Sequence, residues 1–235
     1  MAIYRTSGDE AFKNYGNNSI ETASPFEWAD ELEVSRIDEP SWIHRYKYES
    51  SLIVELIKEN NYTKVLELGS GPGMLSQYIL DIIPSLNYSF IDKATSKAIF
   101  DKRGFKGNKF YVKDLMHSFD ISDLDTDYDL IIANDFLEHI ANPSHVLSQV
   151  RNITKKDSTF FISVPNWRMG HEFIYRGLFD YDNFIYFSKI HGWEPESVAG
   201  SPLKCSNLQK QSSEETIPSE IIDSWNWYFT TKKID

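Results

Sequence analysis

The chain holds a single cysteine, Cys205, in 235 residues. No disulfide can form within it, and no cysteine cluster can hold a metal ion. Basic residues are also scarce, with 24 Lys and Arg against 35 Asp and Glu and a net charge of −11. Sequence-independent nucleic-acid binding needs clustered Lys and Arg facing phosphates, so no nucleic-acid partner is expected. No apolar run approaches membrane-spanning length, and the first twenty residues lack the apolar segment of a secretory leader. The expectation is a cytoplasmic protein with no membrane partner. His and acidic residues do not recur at metal-ligand spacing, so metal-independent chemistry is expected. Internal repeats and low-complexity tracts are missing as well.

What is present is globular in character, with 41% hydrophobic and 14% aromatic residues. The length fits one α/β domain with an added segment, or two small domains. The most informative stretch runs from Lys64 to Leu80. Val65, Leu66 and Leu68 form a short apolar run of strand type. Gly69, Gly71 and Gly73 follow at alternate positions. Leu75, Tyr78, Ile79 and Ile82 then recur with helical spacing. Strand, glycine turn and helix open a nucleotide-binding α/β sheet. The glycines allow a sharp turn and a close ligand approach, and a side chain at Gly69 or Gly71 is expected to enter the ligand's space. A dinucleotide fingerprint places its third glycine where Met74 stands. An acid, Glu67, precedes the first glycine by two positions.

Glu-x-Gly-x-Gly-x-Gly resembles the first motif of class I S-adenosylmethionine-dependent methyltransferases. In that family the loop cradles a methionine moiety rather than a diphosphate. The later segments resemble the family in the same order, from about Trp42 to the C-terminus. The strand Asn87 to Asp92 ends in an acid 23 residues after Gly69, the distance of a ribose-binding carboxylate. Asp92 is therefore read as the ribose ligand or as the cap of a helix from Ala94 to Arg103. After a strand from Asn108 to Val112, the resemblance implies that Asp114 accepts from the adenine amino group and that the Leu115 amide meets the ring. The other reading of Asp114 is a turn-forming aspartate.

Trp42 to Asn60 reads as a helix with Trp42, Tyr46, Ile53, Leu56 and Ile57 on one face. The resemblance implies that Arg45 grips the cofactor's carboxylate, while its i,i+4 spacing also allows a surface pair with Glu49. Tyr128 to Asn134 is an almost wholly apolar strand, as in a parallel sheet covered on both faces. Asn134, Asp135 and the Leu137-Glu138-His139 sequence follow it and resemble the family's fourth motif, with Asn134 implied at the cofactor. Asn142-Pro143 begins the next helix. Strands from Thr159 to Val164 and Trp225 to Thr231, a helix from Asn183 to His191 and a turn from Gly192 into another strand complete the pattern.

The fold implied is α/β: a Rossmann-like class I methyltransferase with helices on both faces of a seven-stranded, mostly parallel sheet in the order 3-2-1-4-5-7-6. Strand seven is antiparallel. Residues 1–40 form an N-terminal arm or lid, with a helix start at Ser24-Pro25-Phe26-Glu27, and residues 41–235 form the methyltransferase domain. Residues 165–182 have no regular pattern and interleave aromatics with Arg168, His171 and Arg176. Trp167, Arg168, Tyr175 and Arg176 are candidates for binding the acceptor, or for packing the loop on the core.

The implied reaction carries a methyl group from S-adenosylmethionine to a small-molecule acceptor, a sugar or other hydroxyl compound, and leaves S-adenosylhomocysteine. A hydroxyl acceptor needs a general base. His139, His171 and Asp135 are the candidates, with a helix-start or core histidine as the other reading of His139. No Asn-Pro-Pro-Tyr or Asp-Pro-Pro-Tyr follows the fourth strand, which argues against methylation of nucleic-acid bases. Two other classes stay open. One is a catalytically silent S-adenosylmethionine-binding or interaction protein. The other is a nicotinamide-dependent oxidoreductase, disfavoured by Met74. Oligomeric state is left open.

Overall fold

The computed structural model describes residues 40–105, 109–115, 120–166, 178–201, 210–212 and 226–234. The expected arm or lid, and the aromatic stretch 167–177, lie outside the described residues. Helix α1 (Pro40–Asn60) takes proline at its first position, where the missing N–H costs nothing. It stops at Asn61, whose φ of +54° ends the turn, and the Tyr62 N–H closes back on the Ile57 carbonyl at 3.0 Å. Strand β1 (Lys64–Leu68) leads through the glycine turn into α2 (Met74–Ile82). Then come β2 (Asn87–Asp92), α3 (Ala94–Arg103), β3 (Lys109–Val112) and β4 (Tyr128–Ala133). A single 3-10 turn, Leu137–His139, precedes α4 (Pro143–Ile153), which Asn142 caps by accepting the His145 N–H at 3.2 Å. Strand β5 (Thr154–Pro165), helix α5 (Tyr181–Ile190) and strands β6 (Trp193–Ser201), β7 (Lys210–Ser212) and β8 (Asn226–Lys233) follow.

These strands form one sheet in the order β3-β2-β1-β4-β5-β8-β6-β7. Strands β3 to β5 are parallel, and β8 runs antiparallel between β5 and β6. The seven expected strands are therefore in the expected order, with β8 as the seventh. Two differences stand out. Strand β5 begins at Thr154 rather than Thr159, because Thr154 pairs with Tyr128 ahead of a bulge while Lys155, Lys156 and Asp157 stay exposed. Polar, exposed residues give no strand periodicity to read. The chain between β6 and β8 also contributes a short edge strand, β7, paired with Ser197 to Ala199.

Alternation along the central strands divides the core in two. Leu66, Ile131, Phe160 and Phe229 face α4 and α5, where they meet Val146, Leu147, Val150 and Phe184. Val65, Leu130, Ile132, Phe161 and Tyr228 face α1 and α2, where they meet Ile53, Ile57, Leu75 and Ile79. The sheet grows in one direction through β1, β2 and β3 and in the other through β4 and β5. This reversal opens a crevice at the C-terminal ends of β1 and β4, the place where open α/β sheets bind ligands.

Candidate active site

The turn after β1 is left-handed at all three glycines, with φ of +67° at Gly69, +49° at Gly71 and +74° at Gly73. L-residues with a Cβ resist that region. The Gly69 N–H donates to Ile91 on β2 at 2.9 Å, and Gly73 donates to Ser70 at 2.9 Å. A Cβ at Gly69 would lie 2.5 Å from the Phe136 ring, and one at Gly73 would lie 2.6 Å from Phe100. At Gly69 the missing side chain leaves room for Phe136 of this chain. Helix α2 starts at Gly73 with no side chain capping it.

Asp92 ends β2 beside this turn. One carboxylate oxygen accepts the Gly71 N–H at 2.6 Å, and the other accepts the Lys93 N–H at 2.7 Å. Lys93, not Asp92, is the N-cap of α3, and no side chain caps that helix. Asp92 thus ties the glycine turn to the end of β2. Lys113 donates from its backbone to the Asp92 carbonyl at 2.8 Å, which draws the exit of β3 alongside. Asp114 is exposed there, and Leu115 is buried. Glu67 is buried within β1 and accepts the Tyr88 hydroxyl at 3.0 Å. Burial, and then the Glu67 charge, push the Tyr88 hydroxyl well above its usual range, so it stays a donor.

Across the crevice a polar network joins α1 to β4, β5 and β8. Arg45 donates from Nε to Glu49 at 2.7 Å and from its guanidinium to Asp135. Glu49 is fully buried and also accepts from Tyr228 at 2.9 Å and Asn134 at 3.1 Å. Asp135, held at φ +48°, accepts from Ser163 at 2.8 Å and Asn226 at 2.6 Å, and its N–H donates to Ser163 at 2.7 Å. The Arg45–Glu49 pair is therefore real, though buried on the glutamate side rather than a surface pair. Burial pushes the Glu49 carboxyl up, and Arg45 pulls against it. Burial opposes the Arg45 charge, yet Asp135 and Glu49 raise its pKa well above the ordinary arginine value. Ser163, Asn226 and Tyr228 are not named from sequence, and Glu49 is named there only as a surface partner of Arg45. The available signals were weak: an acid among the apolar positions of α1 and a lone serine inside an apolar strand.

The turn after β4 holds the groups suited to chemistry. His139 is partly exposed at the end of the 3-10 turn, its N–H donating to the Phe136 carbonyl at 3.1 Å. Glu138, named from sequence only as part of Leu137-Glu138-His139 and given no role there, is fully buried, and among the described residues no other residue donates a hydrogen bond to its carboxyl oxygens. Its signal was an acid set between Leu137 and Ile140. Burial pushes its pKa up to about 8, with His139 lowering it and Asp135 raising it. The Asn134 side-chain oxygen is likewise buried and unpartnered. Trp167, Arg168, His171, Tyr175 and Arg176 lie outside the described residues. Among the described residues, no group of three or more His, Cys, Asp or Glu side chains is placed to hold a metal ion. No helix among them is long and apolar enough to cross a membrane.

A mostly parallel sheet in this order, with an antiparallel strand between β5 and β6, a three-glycine turn after β1 and an acid at the end of β2, is the fold of class I S-adenosylmethionine-dependent methyltransferases. The site fits that cofactor. The turn leaves the α2 N-terminus uncapped, Asp92 is braced beside it, and the orphaned Asn134 oxygen offers an acceptor for an ammonium group. A family model described as a methyltransferase domain matches residues 41–198, and the chain belongs to that family. The chain is similar to a ubiquinone biosynthesis O-methyltransferase of Glaesserella parasuis, at 25% identity over 149 residues, 55% of this chain and 62% of that one. The match thus spans less than two thirds of that relative's length. Among solved structures, an S-adenosylmethionine-dependent methyltransferase from Clostridium acetobutylicum superposes with a TM-score of 0.60 at 14% identity, covering 89% of this chain and 97% of that one. The plantazolicin methyltransferase in complex with S-adenosylhomocysteine gives 0.57 at 14% identity, covering 91% and 92%. Both likenesses concern the fold.

Proposed function

We propose that the protein methylates a small-molecule acceptor at oxygen, a sugar or other hydroxyl compound, with S-adenosylmethionine as donor. The observation that carries this reading is the pairing, across one crevice, of the left-handed glycine turn with the acid- and histidine-bearing turn after β4. The O-methyltransferase relative supports an oxygen acceptor. When bound, S-adenosylmethionine supplies a methyl group already activated by its sulfonium. The chain's own residues then bind, align and accept a proton.

In this reading the Gly69–Gly73 turn and the Asn134 oxygen hold the amino-acid end of the cofactor. Asp92 takes the ribose hydroxyls, and Asp114 with the Leu115 amide takes the adenine. Glu67, joined to Tyr88, stiffens the β1–β2 pair beneath the turn. Arg45 holds Asp135 and Glu49 in place and thereby shapes the crevice wall. Asp135 accepts at both oxygens from Arg45, Ser163 and Asn226, which suits it to positioning the turn. Strand β5 is parallel to β4, so its C-terminal end at Pro165 lies at the same sheet edge as the crevice. That supports the reading that Trp167, Arg168, Tyr175 and Arg176 bind the acceptor.

The test is transfer of labelled methyl from S-adenosylmethionine to a panel of catechols, hexoses and primary amines. Label entering a hydroxyl compound supports the reading. Label confined to the amines contradicts the oxygen acceptor. Tight S-adenosylhomocysteine binding with no transfer to any compound favours the catalytically silent binding protein.

A further inference from the structure

We propose that Glu138 is the general base of methyl transfer, the group that takes the acceptor's hydroxyl proton. The inference rests on the methyltransferase reading above and adds to it the residue that touches the reacting oxygen. Three observations point to it. Glu138 stands in the turn after β4, at the crevice, between Asp135 and His139. It is fully buried, and among the described residues no other residue donates a hydrogen bond to either carboxyl oxygen. The neighbouring acid, Asp135, already accepts at both oxygens from donors of α1, β5 and β8.

A buried carboxyl without partners is costly, and folded chains seldom keep one without a use. A ligand that brings its own O–H donor removes that cost on binding. The charged groups acting on Glu138 are His139 beside it, Asp135 in the same turn and Arg45 from α1; their influence is smaller than that of burial, which leaves the carboxyl with a pKa of about 8. A base with a pKa in that range is matched to proton transfer near neutral pH. In the step, the acceptor's oxygen forms a bond to the methyl carbon while its O–H bond breaks toward a Glu138 carboxylate oxygen. The electron pair of the carbon–sulfur bond remains on sulfur. Glu138 then holds the proton as a neutral acid until product leaves, and His139, next in sequence and partly exposed, offers the way out to solvent.

Two measurements on the complex with S-adenosylhomocysteine and on the active enzyme test this. Infrared difference spectra of wild type against Glu138→Gln should show a protonated-carboxyl band that disappears as pH rises through about 8. A carboxylate already ionised at pH 6 in wild type, on the order of two pH units below that midpoint, overturns the proposal whatever the acceptor. With the hydroxyl compound that the panel identifies, Glu138→Gln should lower turnover by about 10²–10⁴-fold and leave S-adenosylhomocysteine affinity unchanged. The wild-type rate should rise with pH around the same midpoint, and the variant should lose that rise. Full turnover in Glu138→Gln, or loss of turnover in His139→Gln alone, contradicts the assignment. No transfer by wild type contradicts the parent reading instead, and the infrared result still decides the state of Glu138.

Discussion

A carboxyl group withdrawn from water keeps its proton in the folded chain to higher pH than in the unfolded chain. For Glu138 the folded pKa is about 8, against an ordinary glutamate value of 4.5. Between those values the native state holds a proton that the unfolded state has released, so stability is present at low pH and falls as pH rises through about 8. The loss amounts to roughly 5 kcal/mol when complete. Glu138→Gln keeps the shape and removes the charge. Its melting temperature should therefore exceed that of wild type by several degrees at pH 8.5 and converge with it near pH 5. A variant more stable than wild type yet poor in turnover would show that the buried acid is kept for chemistry. Equal melting temperatures at both pH values would mean that Glu138 is ionised and partnered. Sequence could not reveal this residue, because its role follows from burial and missing partners, and neither is written in Leu-Glu-His. The place of Asp92 beside the glycine turn was legible, because the distance from such a turn to the end of the next parallel strand is set by one helix and two short connections.

At the scale of elements, the glycine turn, β2 and the turn after β4 interlock through Phe136. Gly69 has both a left-handed backbone and an aromatic ring in the place a Cβ would take. Gly69→Ala should destabilise the protein by about 2–4 kcal/mol, the sum of backbone strain and overpacking. Adding Phe136→Leu should return the packing part and leave about 1–2 kcal/mol of backbone cost, measured by urea denaturation. If the second substitution recovers nothing, the ring is not what excludes a side chain at Gly69. The element pattern was readable wherever apolar residues recur at a clear period, as in β4 and α4. It was not readable in the first residues of β5, or in β7, where pairing alone defines a polar strand.

Across the whole molecule, two cores flank one sheet, and the Glu49 network ties α1 to strands far away in sequence. Tyr228, in the last strand, reaches Glu49 from 179 positions later in the chain. Long-range polar contacts of this kind leave little trace in a single sequence, whereas the family motifs sit within short segments and carried the fold. Tyr228→Phe removes one donor from a buried carboxylate and should cost about 1.5–3 kcal/mol of stability, read from chemical denaturation. A cost near zero would mean that Glu49 is satisfied by Arg45 and Asn134 alone. The central claim is that the crevice between β1 and β4 holds S-adenosylmethionine. Titration calorimetry with S-adenosylhomocysteine tests it most directly. The account predicts binding by wild type, loss in Gly71→Val, a loss of about 1.5–3 kcal/mol in Asp92→Ala, and no comparable signal from NAD. Binding of NAD as tight as that of S-adenosylhomocysteine, or S-adenosylhomocysteine binding untouched by Gly71→Val, would contradict it.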